Sequence, residues 1–254
     1  MIAATILLLL MRCSSVHFEP LSSDNWFVVI IRSISGTFAF LLFFIAFNYI
    51  AIGTGYFLFY AGSTIGGYLI GALVFKEKIT SRALFALGLA LIGLALLYTS
   101  SFAFSVNLYA FLALLAGCFT ALWNTLPKKL PPTIPLMQLT FLDTALPIIA
   151  YVAISLLLKE HWVLPTLSPQ WVANIVFGCF FVVTGQLIIY GFRRLNAHIG
   201  SLVMLLEIVF GILFSYIIFR ETLTVLTILG GIIIITAIAI PEVSALHSKN
   251  DRKK

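Results

Sequence analysis

Apolar residues in this chain fill long unbroken runs, and short polar clusters separate one run from the next. Eight runs have spanning length, at approximately 33–52, 54–75, 82–100, 106–126, 134–158, 172–191, 198–219 and 223–240. A helix needs about 20 apolar residues to cross a bilayer, so each run predicts one crossing. The runs are apolar all round, which argues against amphipathic helices lying on a surface. None alternates with a period of two, which argues against a β-barrel wall. Helices also satisfy their own backbone hydrogen bonds in lipid, where water cannot. The first two runs merge, and Gly53-Thr54-Gly55 is the tight turn expected within them. The fold class predicted is therefore all-α transmembrane, a polytopic helical bundle.

Composition narrows this further. Of 254 residues, 61% are hydrophobic and only 9% are charged, with a mean hydropathy of +1.12. A soluble domain carries about 25% charged residues. So few charges exclude a soluble enzyme, a disordered chain and a nucleic-acid-binding domain with a basic face. The net charge of +6 changes meaning once the cations are placed. Alternating loops put Arg12, Arg32, Lys76, Lys78, Arg82, Lys128, Lys129, Arg193, Arg194 and the Lys249, Arg252, Lys253, Lys254 tail on one side. Only Lys159 and Arg220 fall on the other, so the positive-inside rule places the C-terminus in the cytoplasm. Cys13, Cys118 and Cys179 show no pair spacing and read as small hydrophobes. No His-Glu-x-x-His, Gly-x-Ser-x-Gly, phosphate loop or Cys/His cluster occurs, so no enzyme, metal or cofactor is expected.

Phe75-Lys76-Glu77-Lys78-Ile79-Thr80 recurs as Phe219-Arg220-Glu221-Thr222-Leu223-Thr224. Both copies end one apolar run and begin the next. An odd number of crossings separates them, which puts them on opposite membrane faces, as in an inverted repeat. Glu77 and Glu221 read as structural, an acid before a helix with Thr80 or Thr224 at its cap. Measured against the second copy, the first half is about 40 residues short. Met1–Met11 then reads as the end of a helix rather than a leader, because it is too short to span and lacks a basic n-region.

The succession Asn196-Ala197-His198-Ile199-Gly200-Ser201, Leu205-Leu206-Glu207-Ile208-Val209-Phe210 and Phe219 to Thr224 resembles the EamA-type permeases of the drug/metabolite transporter superfamily. It is similar to their penultimate helix, Leu-Glu-Pro-Val element and terminal Glu-x-Leu-Thr turn. The stretch from Arg32 to Glu77, followed by Gly88 and Gly93, is similar to the matching half-repeat. The resemblance implies ten helices in two inverted sets of five around a central cavity, with about eight full helices and one partial helix here. It divides the chain into half-repeats 1–100 and 105–241 and a basic cytoplasmic tail, 242–254. Ile208 and Thr64 stand where that family carries proline.

Ionisable groups deep in a span cost about 2.5–3.5 kcal/mol each, so they need an explanation. Glu207 lies midway along its run, and Gly200, Met204, Glu207, Gly211 and Ser215 share one helical face. It is a candidate proton or cation carrier; the competing reading is a neutral acid bonded to a neighbouring helix. Asp143 shares a face with Thr140, Thr144 and Pro147, with Gln138 one turn away. Pro147 frees a carbonyl near residue 143, so these groups either line a broken-helix site or simply satisfy the break. Gln186, Asn48 and the Trp123-Asn124 pair are candidates to orient a ligand, with Trp123 equally an interface anchor. Tyr56 and Tyr60 share a face and are candidates to line a cavity. Gly62, Ser63, Gly66, Gly67 and Gly71 read as close helix packing, His198 as interfacial, and Arg193-Arg194 as solvated.

The function expected is a multi-pass permease of the cell inner membrane. It would move a small organic metabolite (an amino acid, S-adenosylmethionine or a drug-like solute) by alternating access, proton-coupled or by exchange. The partners expected are the solute and the lipid bilayer, without nucleic acid and with a homodimer left open. The alternative is a non-transporting membrane protein, either an assembly partner or an inactive remnant.

Overall fold

The computed structural model of the chain describes residues 2–14, 17–99, 107–159, 166, 168–220 and 222–251, with 242–251 described by backbone alone. Regular structure among these residues is entirely helical. The helices are α1 (Ile2–Cys13), α2 (Ser23–Phe47), α3 (Ile52–Leu73), α4 (Ser81–Tyr98), α5 (Leu108–Thr125), α6 (Leu136–Leu157), α7 (Pro169–Arg194), α8 (Ala197–Val203), α9 (Leu206–Phe219) and α10 (Val225–Asp251). A 3-10 turn, Leu126–Lys129, continues α5. Seven stretches among the described residues are long and apolar enough to cross a membrane, with α8 and α9 together forming one of them. The eighth predicted span is α10, whose apolar portion Val225–Pro241 is shorter. Bulky apolar side chains such as Phe27, Phe177, Leu187 and Phe214 point outward, as a surface solvated by lipid tails requires.

Two boundaries differ from the sequence expectation. The first span begins at Ser23, about ten residues early, because Asp24 opens a helix that continues straight through Arg32. Its break with α3 falls at Asn48–Ala51 rather than at Gly53-Thr54-Gly55, which lie buried inside α3. Asn48 terminates α2 by donating its side-chain amide to the Phe44 carbonyl, 2.8 Å away. Gly55 serves packing: a Cβ there would stand 2.8 Å from the Phe47 ring.

The chain forms two compact units, 1–37 with 123–194, and 38–122 with 195–254. Each unit takes helices from both halves of the sequence. In the first, α1 packs on α6 and α7, and Val29, Leu130, Ile134, Leu139, Leu142 and Ile189 form the core. The extended segment before α2 is tied to α6 by Gln138, whose amide accepts from Glu19 N at 2.9 Å and donates to Glu19 O at 2.8 Å. In the second, α4 packs on α10 and α3 on α8. Gly93 and Gly230 permit the α4–α10 approach: a Cβ on either would meet the other's carbonyl oxygen, at 2.9 and 2.7 Å. The expected small-residue face of α3 packs closely too. Gly62 lies against the Leu114 backbone of α5, Gly66 against Ala121 and Gly67 against Ser201 of α8.

The two copies of the Phe-basic-Glu motif share a backbone feature. Lys76 (φ 52°) and Arg220 (φ 55°) both adopt the left-handed conformation that ends a helix. Thr80 caps α4 by accepting from Ala83 N at 3.2 Å, and Thr224 caps α10 by accepting from Thr227 N at 3.2 Å. Both caps match the expectation; Glu221 lies outside the described residues.

Candidate functional site

Three acids are tied into the helices, and each is held differently. Asp143 in the first unit is almost fully enclosed and forms an ion pair with Arg32 of α2. Arg32 Nε also donates to the Trp123 carbonyl at 3.0 Å, and its guanidinium lies 5.9 Å from the Trp123 ring centroid. The Trp123 side chain donates in turn to Asp143. Gly36, one turn beyond Arg32, makes room for that indole, since a Cβ there would stand 3.2 Å from it. Asp143 Oδ1 and Ser33 Oγ are buried without a hydrogen-bond partner among the described residues. Arg32 is therefore no loop cation. It is an interior residue of α2, 2% exposed, and its charge is balanced by Asp143. Arg193 is not simply solvated either, because it donates to the Ile134 and Pro131 carbonyls and holds the turn before α6.

Glu77, in the second unit, does satisfy the N-terminus of a helix, but not of the helix that follows it. Its Oε1 accepts from Ala197 N at 2.8 Å, the first residue of α8, and its Oε2 lies 2.8 Å from His198 Nδ1. Both side chains are nearly enclosed, at 6% and 5% exposure. His198, expected at an interface, is buried beside the Tyr68 ring at 5.3 Å. The Tyr68 hydroxyl donates to Ala83 O at 2.8 Å, which ties α3 to α4 at the same end.

Glu207 occupies a third setting. The helix expected to be continuous from 198 to 219 is interrupted at Met204–Leu205, and Glu207 stands in the first turn of α9. Glu207 N and Ile208 N reach carbonyls only three residues back, Met204 O and Leu205 O, each at 3.1 Å. The break thus forms without proline. At the corresponding Thr64 in α3 the helix runs on, and the hydroxyl donates to Tyr60 O at 2.8 Å. The predicted stripe divides at this break: Gly200 is buried, whereas Glu207 and Gly211 are exposed, with open space around Gly211. The Tyr60 hydroxyl faces the Glu207 carboxylate. Tyr56 lies parallel to Tyr60 and to Tyr98, at centroid separations of 6.1 and 6.3 Å. Phe47 and Phe43 meet Tyr56 edge-on at 4.8 and 5.8 Å.

Residues 107–240 match the EamA-like transporter family, more than half of the chain. The chain belongs to the EamA-like transporter family. It is a multi-pass membrane protein with that family's transporter-like fold. It is also similar to a solved crystal structure whose description names no activity or ligand. That likeness has a TM-score of 0.74 at 16% identity, covers 94% of this chain and 84% of that one, and bears on the fold. No curated protein matches the chain.

Within this family member, the sequence candidates separate. Glu207, Tyr56 and Tyr60 come together in the second unit, while Asp143 and Trp123 come together in the first. Gln138 is occupied by Glu19, Asn48 by the end of α2, and Gln186 lies half-buried on α7. Tyr98, Arg32 and His198 complete these clusters; the sequence reading did not single out Tyr98, and placed Arg32 among the loop cations and His198 at an interface. For Arg32 a signal exists: Ser22-Ser23-Asp24 is a helix start that puts it well inside a span. Tyr98 and His198 carry no comparable local sign.

Proposed function

We propose that this EamA-family protein is a permease of the cell inner membrane with a cytoplasmic C-terminus. It moves a small organic metabolite by alternating access, and Glu207 is the residue that engages solute or coupling ion. One observation carries the reading: a carboxylate in the midst of an apolar span is open to its surroundings, at a helix break, beside a tyrosine. Such interruptions supply unpaired backbone groups and a helix N-terminus for binding in transporters. Asp143 is less suited to that task because Arg32 already balances it. Even with Arg32 counted inside α2, the loop cations gather mainly on one side, which supports the cytoplasmic C-terminus.

The test is flux through proteoliposomes of purified protein, loaded with a mixed metabolite extract and followed by mass spectrometry. Wild-type protein should release or take up at least one solute, and Glu207→Gln should abolish that movement. Equal flux in Glu207→Gln would remove Glu207 from the mechanism. No flux above empty vesicles in the wild type would favour a non-transporting membrane protein.

A further inference from the structure

We propose that the outward face of α7 ends in a binding site for an anionic phospholipid, its phosphate on Arg194 and an acyl chain along the apolar residues before it. Phe180, Val183, Leu187, Tyr190 and Arg194 follow one another at alternating steps of three and four residues, so they share one helical face. All five are exposed. Gly178, Val182, Ile189 and Phe192, toward the other side of the helix, are buried. The outward face is thus apolar along its length and turns to tyrosine and then arginine at its end. The proposal does not depend on what the protein transports.

Arg194 does not reach away from the helix end into water. Its guanidinium lies over the Tyr190 ring, 4.0 Å from the centroid, and Nη1 donates to the Tyr190 hydroxyl. Tyr190 stands one turn nearer the apolar stretch, so the guanidinium is drawn back to the depth of a tyrosine at a span end. Tyrosines there sit at headgroup level, where lipid phosphates lie. The guanidinium is a planar fork of N–H donors suited to phosphate, and the ring beneath holds it in place. Arg193 is committed elsewhere, to the Ile134 and Pro131 carbonyls. Charge complementarity selects an anionic lipid over a zwitterionic one. α1, α6 and the Leu126–Lys129 turn pack on α7. Their charged residues are Arg12, Asp143, Lys128 and Lys129, and Asp143 is already paired with Arg32. The other described acids of this unit, Glu19 and Asp24, stand at the entry to α2. By loop alternation Arg12, Lys128, Lys129, Arg193 and Arg194 share one membrane side, and each basic residue near a surface adds to its attraction for anionic lipid.

The test is native mass spectrometry of the full-length protein in a neutral detergent, titrated with phosphatidylglycerol or with phosphatidylcholine of identical chains. Phosphatidylglycerol should bind about fivefold more tightly, the weight of one basic residue beside an anionic headgroup, and this comparison needs no variant. Arg194→Gln should remove most of that preference and leave phosphatidylcholine binding unchanged. Tyr190→Leu, which takes away the ring that holds the guanidinium, should lower the preference by a smaller factor. Arg82→Gln, at an exposed cation of the second unit on the same membrane side, should leave it intact. Equal binding of the two lipids overturns the assignment, as does a preference that survives Arg194→Gln or Tyr190→Leu unchanged. So does an equal loss in Arg82→Gln, because binding would then follow diffuse surface charge. Glycerol phosphate, the headgroup without chains, binding as tightly as the whole lipid would also overturn it.

Discussion

Glu77→Ala removes a long-range polar contact in the second unit. The carboxylate accepts from Ala197 N and meets His198 Nδ1, both at 2.8 Å, with both side chains nearly enclosed. Loss of a helix cap costs about 0.5–2 kcal/mol. A buried polar group deprived of its partner costs about 1–3 kcal/mol. One carboxylate supplies both contacts, so the substitution should destabilise the protein by roughly 2–4 kcal/mol. Glu77→Gln keeps an acceptor for Ala197 N and should cost less than half as much. Unfolding of the purified protein in mixed micelles by a denaturing detergent reads these differences. A double-mutant cycle of Glu77→Ala with His198→Ala should show a coupling of about 1–3 kcal/mol, since contacting residues are non-additive. The reasoning fails if the two substitutions add to within about 0.5 kcal/mol, the behaviour of residues that do not touch.

Other outcomes follow from the same structure. Arg32→Ala strands a buried carboxylate and should cost about 3–5 kcal/mol, whereas Arg32→Ala with Asp143→Asn should recover part of that loss, read in the same unfolding assay. Gly230→Ala places a methyl group 2.7 Å from the Gly93 carbonyl oxygen. It should separate α4 from α10 at a cost of about 1–3 kcal/mol, seen as a lower detergent midpoint. Lys76→Gly relieves a left-handed residue with φ 52°. That relief is worth about 1–2 kcal/mol before glycine's entropy cost, so the midpoint should stay level or rise slightly.

The helical membrane class was legible because it depends on local composition alone. Spans announce themselves by length and by scarcity of charge. The threonine caps at Thr80 and Thr224 were legible for a related reason: the capping hydroxyl and the amide it accepts from lie three residues apart. The site was only half legible. Tyr56 and Tyr60 share a face by spacing, and Glu207 stood out as an acid in an apolar run. Tyr98, on another helix, joins them only in three dimensions. Arg32 was misplaced because a cation at the edge of an apolar run looks like a loop residue until its counter-ion is found.

By itself, then, the sequence determined the membrane bundle, the repeated motif and the family resemblance, since each is written in residue type and spacing. Tertiary structure decided which charges are neutralised and which is left open. Glu77 meets His198 across 121 positions, and Gln138 meets Glu19 across 119. Such partners leave no trace in either local segment, because in lipid the need to pair a charge is general while its partner is chosen by packing.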